Sequence, residues 1–149
     1  MKDPIKVNAK ISGGGQPSEE DIAALKAAGY RKIINLRRPG EPNQPLDPQA
    51  QGEVVTRAGM DYLHIPVDPK NLDPASAEAV AMAVAAADGP VYVHCAAGGR
   101  GLSHALLAEA KAQGHSADDV LKKAEALGSP ITDEGFISFV RASLSGGKK

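Results

Sequence analysis

Val91-Tyr92-Val93-His94-Cys95-Ala96-Ala97-Gly98-Gly99-Arg100-Gly101 decides how this 149-residue sequence is read. The β-branched run at its start predicts a buried strand. The apolar spacing from Leu102 to Gln113, stopped at Gly114, predicts a helix beyond it. A strand that enters a helix through a short loop brings consecutive backbone N–H groups and the positive end of the helix dipole to one point. That point lies at the carboxyl edge of a sheet, where open α/β folds bind ligands. Ala96, Ala97, Gly98, Gly99 and Gly101 are all small, so the backbone can curl around an anion where larger side chains would obstruct it. Cys95 sits at the base of the curl, and the same positive field favours its thiolate, a nucleophile. Arg100 closes the loop with a permanently charged planar fork that can hold two oxygens of a tetrahedral anion. A lone cysteine or a glycine pair carries little by itself. The signal is the ordered series of strand, His-Cys, small linker, Arg and helix.

On either side of this stretch, helix and strand signals alternate. Ser18-Glu19-Glu20-Asp21 ahead of Ile22 and Leu25 is an N-cap with an acidic first turn, and with Gly29 as the stop it predicts a helix over 18–28. Lys32 to Leu36 reads as a strand closed by the turn Arg37-Arg38-Pro39-Gly40, followed by a loop rich in Pro, Asn and Gln up to Pro48. A helix over 49–58 stops at Gly59, and 62–67 reads as another strand. Asp73 caps a helix with Pro74 at its first position, ending near Asp88-Gly89. Ser116 caps a helix to about 127, and a last helix lies near 133–144. The run Gly13-Gly14-Gly15 suits a flexible turn. The tail Ser145-Gly146-Gly147-Lys148-Lys149 is expected to be partly disordered. The alternation predicts one three-layer α/β domain over residues 1–149, with a mostly parallel central sheet of roughly four to five strands flanked by helices.

The totals fit that picture. Hydrophobic residues make up 42% and charged residues 23%, and one domain is the ordinary load for a chain of this length. A net charge of -1 offers no basic excess for a nucleic-acid backbone. The longest apolar run, around 79–87, falls well short of the roughly 20 residues of a membrane span. A single cysteine makes no internal disulfide, and the start Met1-Lys2-Asp3-Pro4 has no apolar signal stretch, so a cytoplasmic protein is expected. The sequence holds no His, Cys or carboxylate cluster at metal-ligand spacing, and no cofactor is expected. Oligomeric state is not legible. Glu109 and Lys111 read as surface helix, and His104 as packed or exposed on the helix after the loop. Arg37 and Arg38 leave their strand at the loop's edge of the sheet, where they either line the mouth of the pocket or stay solvated.

The His-Cys loop, together with Ile11-Ser12, Gln16-Pro17-Ser18-Glu19-Glu20-Asp21, Ile33-Ile34-Asn35-Leu36-Arg37 and Tyr62-Leu63-His64-Ile65-Pro66-Val67, resembles the phosphatase-like domain family of bacterial β-lactamase-hydrolase-like proteins, a branch of the dual-specificity phosphatase fold. The matching stretches run from about 11 to 113. The resemblance implies that Cys95 attacks phosphorus and that Arg100 and the loop amides bind the phosphate of a phosphorylated substrate or other oxyanion. It implies also that His94 orients the loop, that Gln16 and the Gly13-Gly14-Gly15 run form one wall of the pocket, and that an acid in the segment after 62–67 protonates the leaving oxygen. Asp68 is the expected acid, because Asp73 already serves as an N-cap.

Two features depart from the phosphatase pattern. Protein tyrosine and dual-specificity phosphatases place five residues between Cys and Arg, and here there are only Ala96, Ala97, Gly98 and Gly99. That shorter loop resembles rhodanese-type sulfurtransferases, in which the cysteine carries a persulfide. The residue after Arg is usually Ser or Thr, and here it is Gly101. Three functions therefore stand open: a metal-independent cysteine phosphatase, a sulfurtransferase, and a binding module for an oxyanion or phosphorylated ligand.

Overall fold

The computed structural model describes residues 3–145, so the Gly-Lys end of the tail, 146–149, lies outside the described residues. In chain order the elements are β1 (Ile5–Lys6), β2 (Ile11–Gly14), α1 (Glu19–Ala27), β3 (Lys32–Asn35), α2 (Pro48–Arg57), β4 (Asp61–His64), α3 (Pro74–Ala86), β5 (Val91–His94), α4 (Gly99–Gln113), α5 (Ala117–Ala126) and α6 (Glu134–Ser145). The caps that signalled helices in the sequence are made. Ser18 with Asp21, and Ser116 with Asp119, form reciprocal capping boxes. Asp47 and Asp73 cap α2 and α3 ahead of a first-turn proline.

The five strands lie in the order β1-β2-β5-β3-β4, with β1 antiparallel and the rest parallel. Four carboxyl ends therefore open on one edge, with β5 in the middle. Ile33 pairs with Tyr92, and Ile34 with Val93. Alternation sends the first pair to one face and the second to the other. On the first face, Ile33 and Tyr92 pack with Ile22 and Leu25 of α1 and Val55 of α2. On the other, Ile34 and Val93 meet Val80 of α3, Leu106 and Leu107 of α4, Val120 of α5 and Val140 of α6. This is the expected three-layer α/β arrangement, with both faces of a mostly parallel sheet covered.

Four local expectations are corrected. Gly13 and Gly14 belong not to a turn but to β2, whose four residues are all buried against β5. Helix α4 starts at Gly99, so Arg100 stands in its first turn. The ladder of β4 ends at His64, although the amides of Ile65 and Val67 still donate to Asn35 O and Leu36 O. Pro66 between them has no N–H to offer. Glu109 is 5% exposed, not a surface residue. Its carboxylate takes Lys123 Nζ at 2.8 Å and Asn8 Nδ2 at 3.0 Å, tying α4 to α5 and to the turn before β2. Among the described residues, no helix is long and apolar enough to cross a membrane.

Candidate active site

Cys95 follows β5 and is 2% exposed. Its Sγ accepts N–H groups from Gly98 at 3.2 Å and Gly101 at 3.3 Å, so the loop curls around the sulfur as its small residues allow. Among the described residues, the N–H groups of Ala96, Ala97 and Gly99 have no protein acceptor, which leaves them for an anion above the sulfur. The end of β2 braces the curl. Gln16 N donates to Ala96 O at 3.0 Å, and Cys95 N to Gly14 O at 3.2 Å. Gly98, the N-cap of α4, has φ 122°, a value a side chain would strain. At Gly101 a Cβ would lie 2.7 Å from both Gly14 O and Val93 O. The glycine that departs from the phosphatase pattern is thus set by α4 seating directly on β2 and β5. Ser103, the nearest hydroxyl beyond it, donates to Arg100 O at 3.1 Å.

Arg100 is 7% exposed, and its donors can be counted. Nη1 donates to Glu41 Oε2 at 2.7 Å and to Val67 O at 2.9 Å, and Nη2 to Glu41 Oε1 at 3.0 Å. A guanidinium has five N–H groups. The Nη1–Nη2 edge is taken by Glu41, which leaves Nε and the second proton of Nη2, the pair on one edge that can hold two anion oxygens. The Glu41 hydrogen bond first, and then nearby Cys95, favour the charged form of Arg100 against the cost of burial.

Glu41, in the stretch the sequence shows only as a polar loop, is the functional residue that sequence reasoning missed. Besides Arg100 it binds Arg37 Nε at 3.0 Å and the Arg38 backbone N–H at 2.7 Å. These partners, Arg100 first, hold its carboxyl down at about 2 against the cost of burial. The i,i+4 spacing from Arg37 is a local hint of that ion pair, but nothing local points to Arg100. Arg37, expected at the pocket mouth or solvated, is 2% exposed. Its other contacts are Gln16 Oε1 at 2.9 Å and Pro42 O at 2.7 Å, so it fastens Glu41 and does not line the mouth. Arg38 remains half exposed.

His94 is fully buried, and burial pushes its pKa down to about 4. The neutral ring therefore carries its proton on Nδ1, 3.1 Å from Cys95 O. Nε2 then needs a donor, and it meets the Gln51 side-chain amide at 2.9 Å. Turning the Gln51 NH2 toward the ring supplies that donor and partners a buried nitrogen that otherwise has none. His104 is packed, with its pKa also lowered by burial to about 4. It bridges Arg100 O at 2.8 Å and Ser76 Oγ at 2.8 Å, joining α4 to the start of α3. Asp68 directly follows Val67, whose carbonyl Arg100 binds. Its Oδ1 accepts Lys70 N at 2.9 Å and lies 3.8 Å from Arg38 Nη2, leaving the carboxyl partly open. Asp73 accepts Ala75 N at 2.9 Å as the helix cap.

Residues 5–113 match the family described as "Beta-lactamase hydrolase-like protein, phosphatase-like domain". A Beta-lactamase hydrolase-like protein of Agrobacterium fabrum is 38% identical over 107 residues, 71% of this chain and 25% of that protein. The chain thus spans about a quarter of the length of that relative. The crystal structure of a "Putative phosphatase (DUF442)" from Shewanella putrefaciens superposes with a TM-score of 0.77 at 26% identity, covering 95% of this chain and 92% of that one. P. aeruginosa TpbA in complex with pTyr shares the fold, with a TM-score of 0.69 at 17% identity over 96% of this chain and 83% of that one. With its five-stranded, mostly parallel sheet and the sulfur cradled at the end of the central strand, the chain belongs to the phosphatase-like domain family of the beta-lactamase hydrolase-like proteins.

Proposed function

We propose that this domain is a metal-independent cysteine phosphatase that hydrolyses phosphate monoesters through a phosphocysteine intermediate. The observation that carries the reading is the spare Nε–Nη2 edge of Arg100 beside the unpaired loop amides, which together make a seat for a tetrahedral dianion over Cys95 Sγ. The Cys95 thiolate attacks phosphorus opposite the ester oxygen. As the P–O bond breaks, its electron pair goes to that oxygen, which takes a proton from the Asp68 carboxylic acid. Water then attacks phosphorus, gives its proton to the Asp68 carboxylate, and displaces the thiolate as phosphate leaves. The loop amides and Arg100 hold the charge that spreads over the equatorial oxygens in both steps. The complex of TpbA with pTyr supports a phosphorylated substrate. Hydrolysis of an aryl phosphate between pH 5 and 8 tests the reading. Turnover by the native chain and none by Cys95→Ser is expected, and undiminished turnover by that variant would sink it.

One observation favours a second reading. Gly98 and Gly101 aim their amides at the sulfur itself, and only four residues separate Cys95 from Arg100, a cradle suited also to a persulfide. Cys95 would attack the outer sulfur of thiosulfate, the S–S bond would break, and sulfite would leave with the electron pair. Cyanide or a thiolate would then take the sulfur and restore the Cys95 thiolate. Mass spectrometry of the thiosulfate-treated protein decides it, since the reading requires one added sulfur atom on Cys95.

A further inference from the structure

A cavity of about 440 Å³ lies against the loop on the β2 side of the sheet. Its near wall is the loop itself, at Ala97, Gly98 and Gly99, and its far wall is the connection between α5 and α6. The body of the cavity is apolar, with Leu102, Ile131 and Phe136. Among the described residues, its charged lining residues are Asp3 and Asp133, both acidic, with no Lys or Arg. Neither Cys95 nor Arg100 lines it, so it adjoins the anion seat and is not part of it.

We propose that this cavity is the alcohol subsite: it takes the uncharged, apolar body of the monoester whose phosphoryl group sits on Cys95, and it turns away alcohols that carry a second anionic group. The proposal rests on the phosphatase reading above. Attack in line with Sγ puts the ester oxygen on the far side of phosphorus, at the rim of the loop, and Ala97 to Gly99 are rim and cavity wall at once. A Cβ built on Gly99 meets no atom within 4 Å, so the rim is open there. The cavity falls within the roughly 300–1,000 Å³ usual for small-molecule sites, larger than one phenyl ring requires. Asp68 stands on the other side of β5, after β4, so the acid and the apolar wall reach the ester oxygen from opposite sides. Asp133 is held in place because its Oδ2 accepts Phe136 N at 3.1 Å as the cap of α6. A carboxylate fixed beside an apolar wall, with no cation among the described lining residues to offset it, repels a second anion and leaves a neutral ring or alkyl chain unopposed.

The experiment is steady-state hydrolysis of 1-naphthyl phosphate, phenyl phosphate and 4-carboxyphenyl phosphate by the native chain, Phe136→Ala and Asp133→Asn. Asparagine keeps the helix cap, so the second variant tests charge even if the first folds poorly. Phe136→Ala is expected to raise KM for 1-naphthyl phosphate about tenfold and that for phenyl phosphate less, with inhibition by inorganic phosphate unchanged. Asp133→Asn is expected to narrow severalfold the native preference for phenyl over 4-carboxyphenyl phosphate. Native turnover with both ratios unmoved would overturn the subsite and leave the phosphatase reading standing. If nothing is hydrolysed, calorimetry with Cys95→Ser decides. Tighter binding of 1-naphthyl phosphate than of inorganic phosphate, weakened by Phe136→Ala, keeps the subsite without the hydrolysis. Binding of neither removes both.

Discussion

Glu41 gives Arg100 its direction. A free arginine side chain would sample many rotamers, whereas here one edge is clamped by a carboxylate that Arg37 and the Arg38 amide hold in turn. Removing the clamp leaves a buried guanidinium short of two acceptors. Glu41→Ala is expected to lower kcat/KM for an aryl phosphate about 10- to 100-fold, corresponding to the ~1.5–3 kcal/mol of a charged hydrogen-bonded pair. Glu41→Gln should rescue little, because the NH2 of its amide would face donors. Unaltered kcat/KM in both variants would show that Arg100 orients without Glu41. The sequence reveals both ends of the loop, Cys95 and Arg100, because their chemistry is local to one strand–helix junction. It does not reveal their holder, because the Glu41–Arg100 contact spans 59 positions and leaves no periodic or spacing trace.

The helices were legible because their signals are short-range, with caps at Ser18, Asp73 and Ser116 acting within three residues. Strand β2 was not. Glycine is depleted from strands, so Gly13-Gly14-Gly15 suited a turn or a pocket wall and not a strand, and what favours glycine here is tertiary. A Cβ on Gly13 would lie 2.8 Å from Leu102 Cα, and one on Gly14 would lie 2.6 Å from the Tyr92 hydroxyl. The first obstacle is backbone of α4 and cannot rotate aside. Gly13→Ala is therefore expected to cost about 1–3 kcal/mol in urea unfolding, as overpacking does, although alanine is otherwise the better strand residue. A neutral or stabilising result would mean that α4 can lift off β2. The same close seating dictates Gly101, so the sequence showed that the usual hydroxyl is missing but not that there is no space for one.

Across the whole molecule, acid sensitivity is built in at two places. His94 and His104 sit on opposite sides of the loop, and burial lowers both from about 6.5 to about 4. Between those limits the unfolded chain binds more protons than the folded one. Stability is then full above about pH 6.5 and is lost as pH falls toward 4, by up to about 1.4 kcal/mol per pH unit for each histidine. Urea unfolding followed from pH 7 to pH 4.5 checks this, and a flat profile would contradict it. The strand order carries a different consequence, in time. Strand β5 occupies the middle of the sheet yet is synthesised last, after β2, β3 and β4. While a ribosome is still short of residue 94, β2 and β3 have no strand between them and their inner edges lie open. The nascent chain therefore passes through an interval in which it can pair wrongly with itself or a neighbour. It ends only when β5 threads the gap, and that same insertion brings Cys95 to its cradle, so the Cys95 sulfur is buried at the moment the sheet is completed.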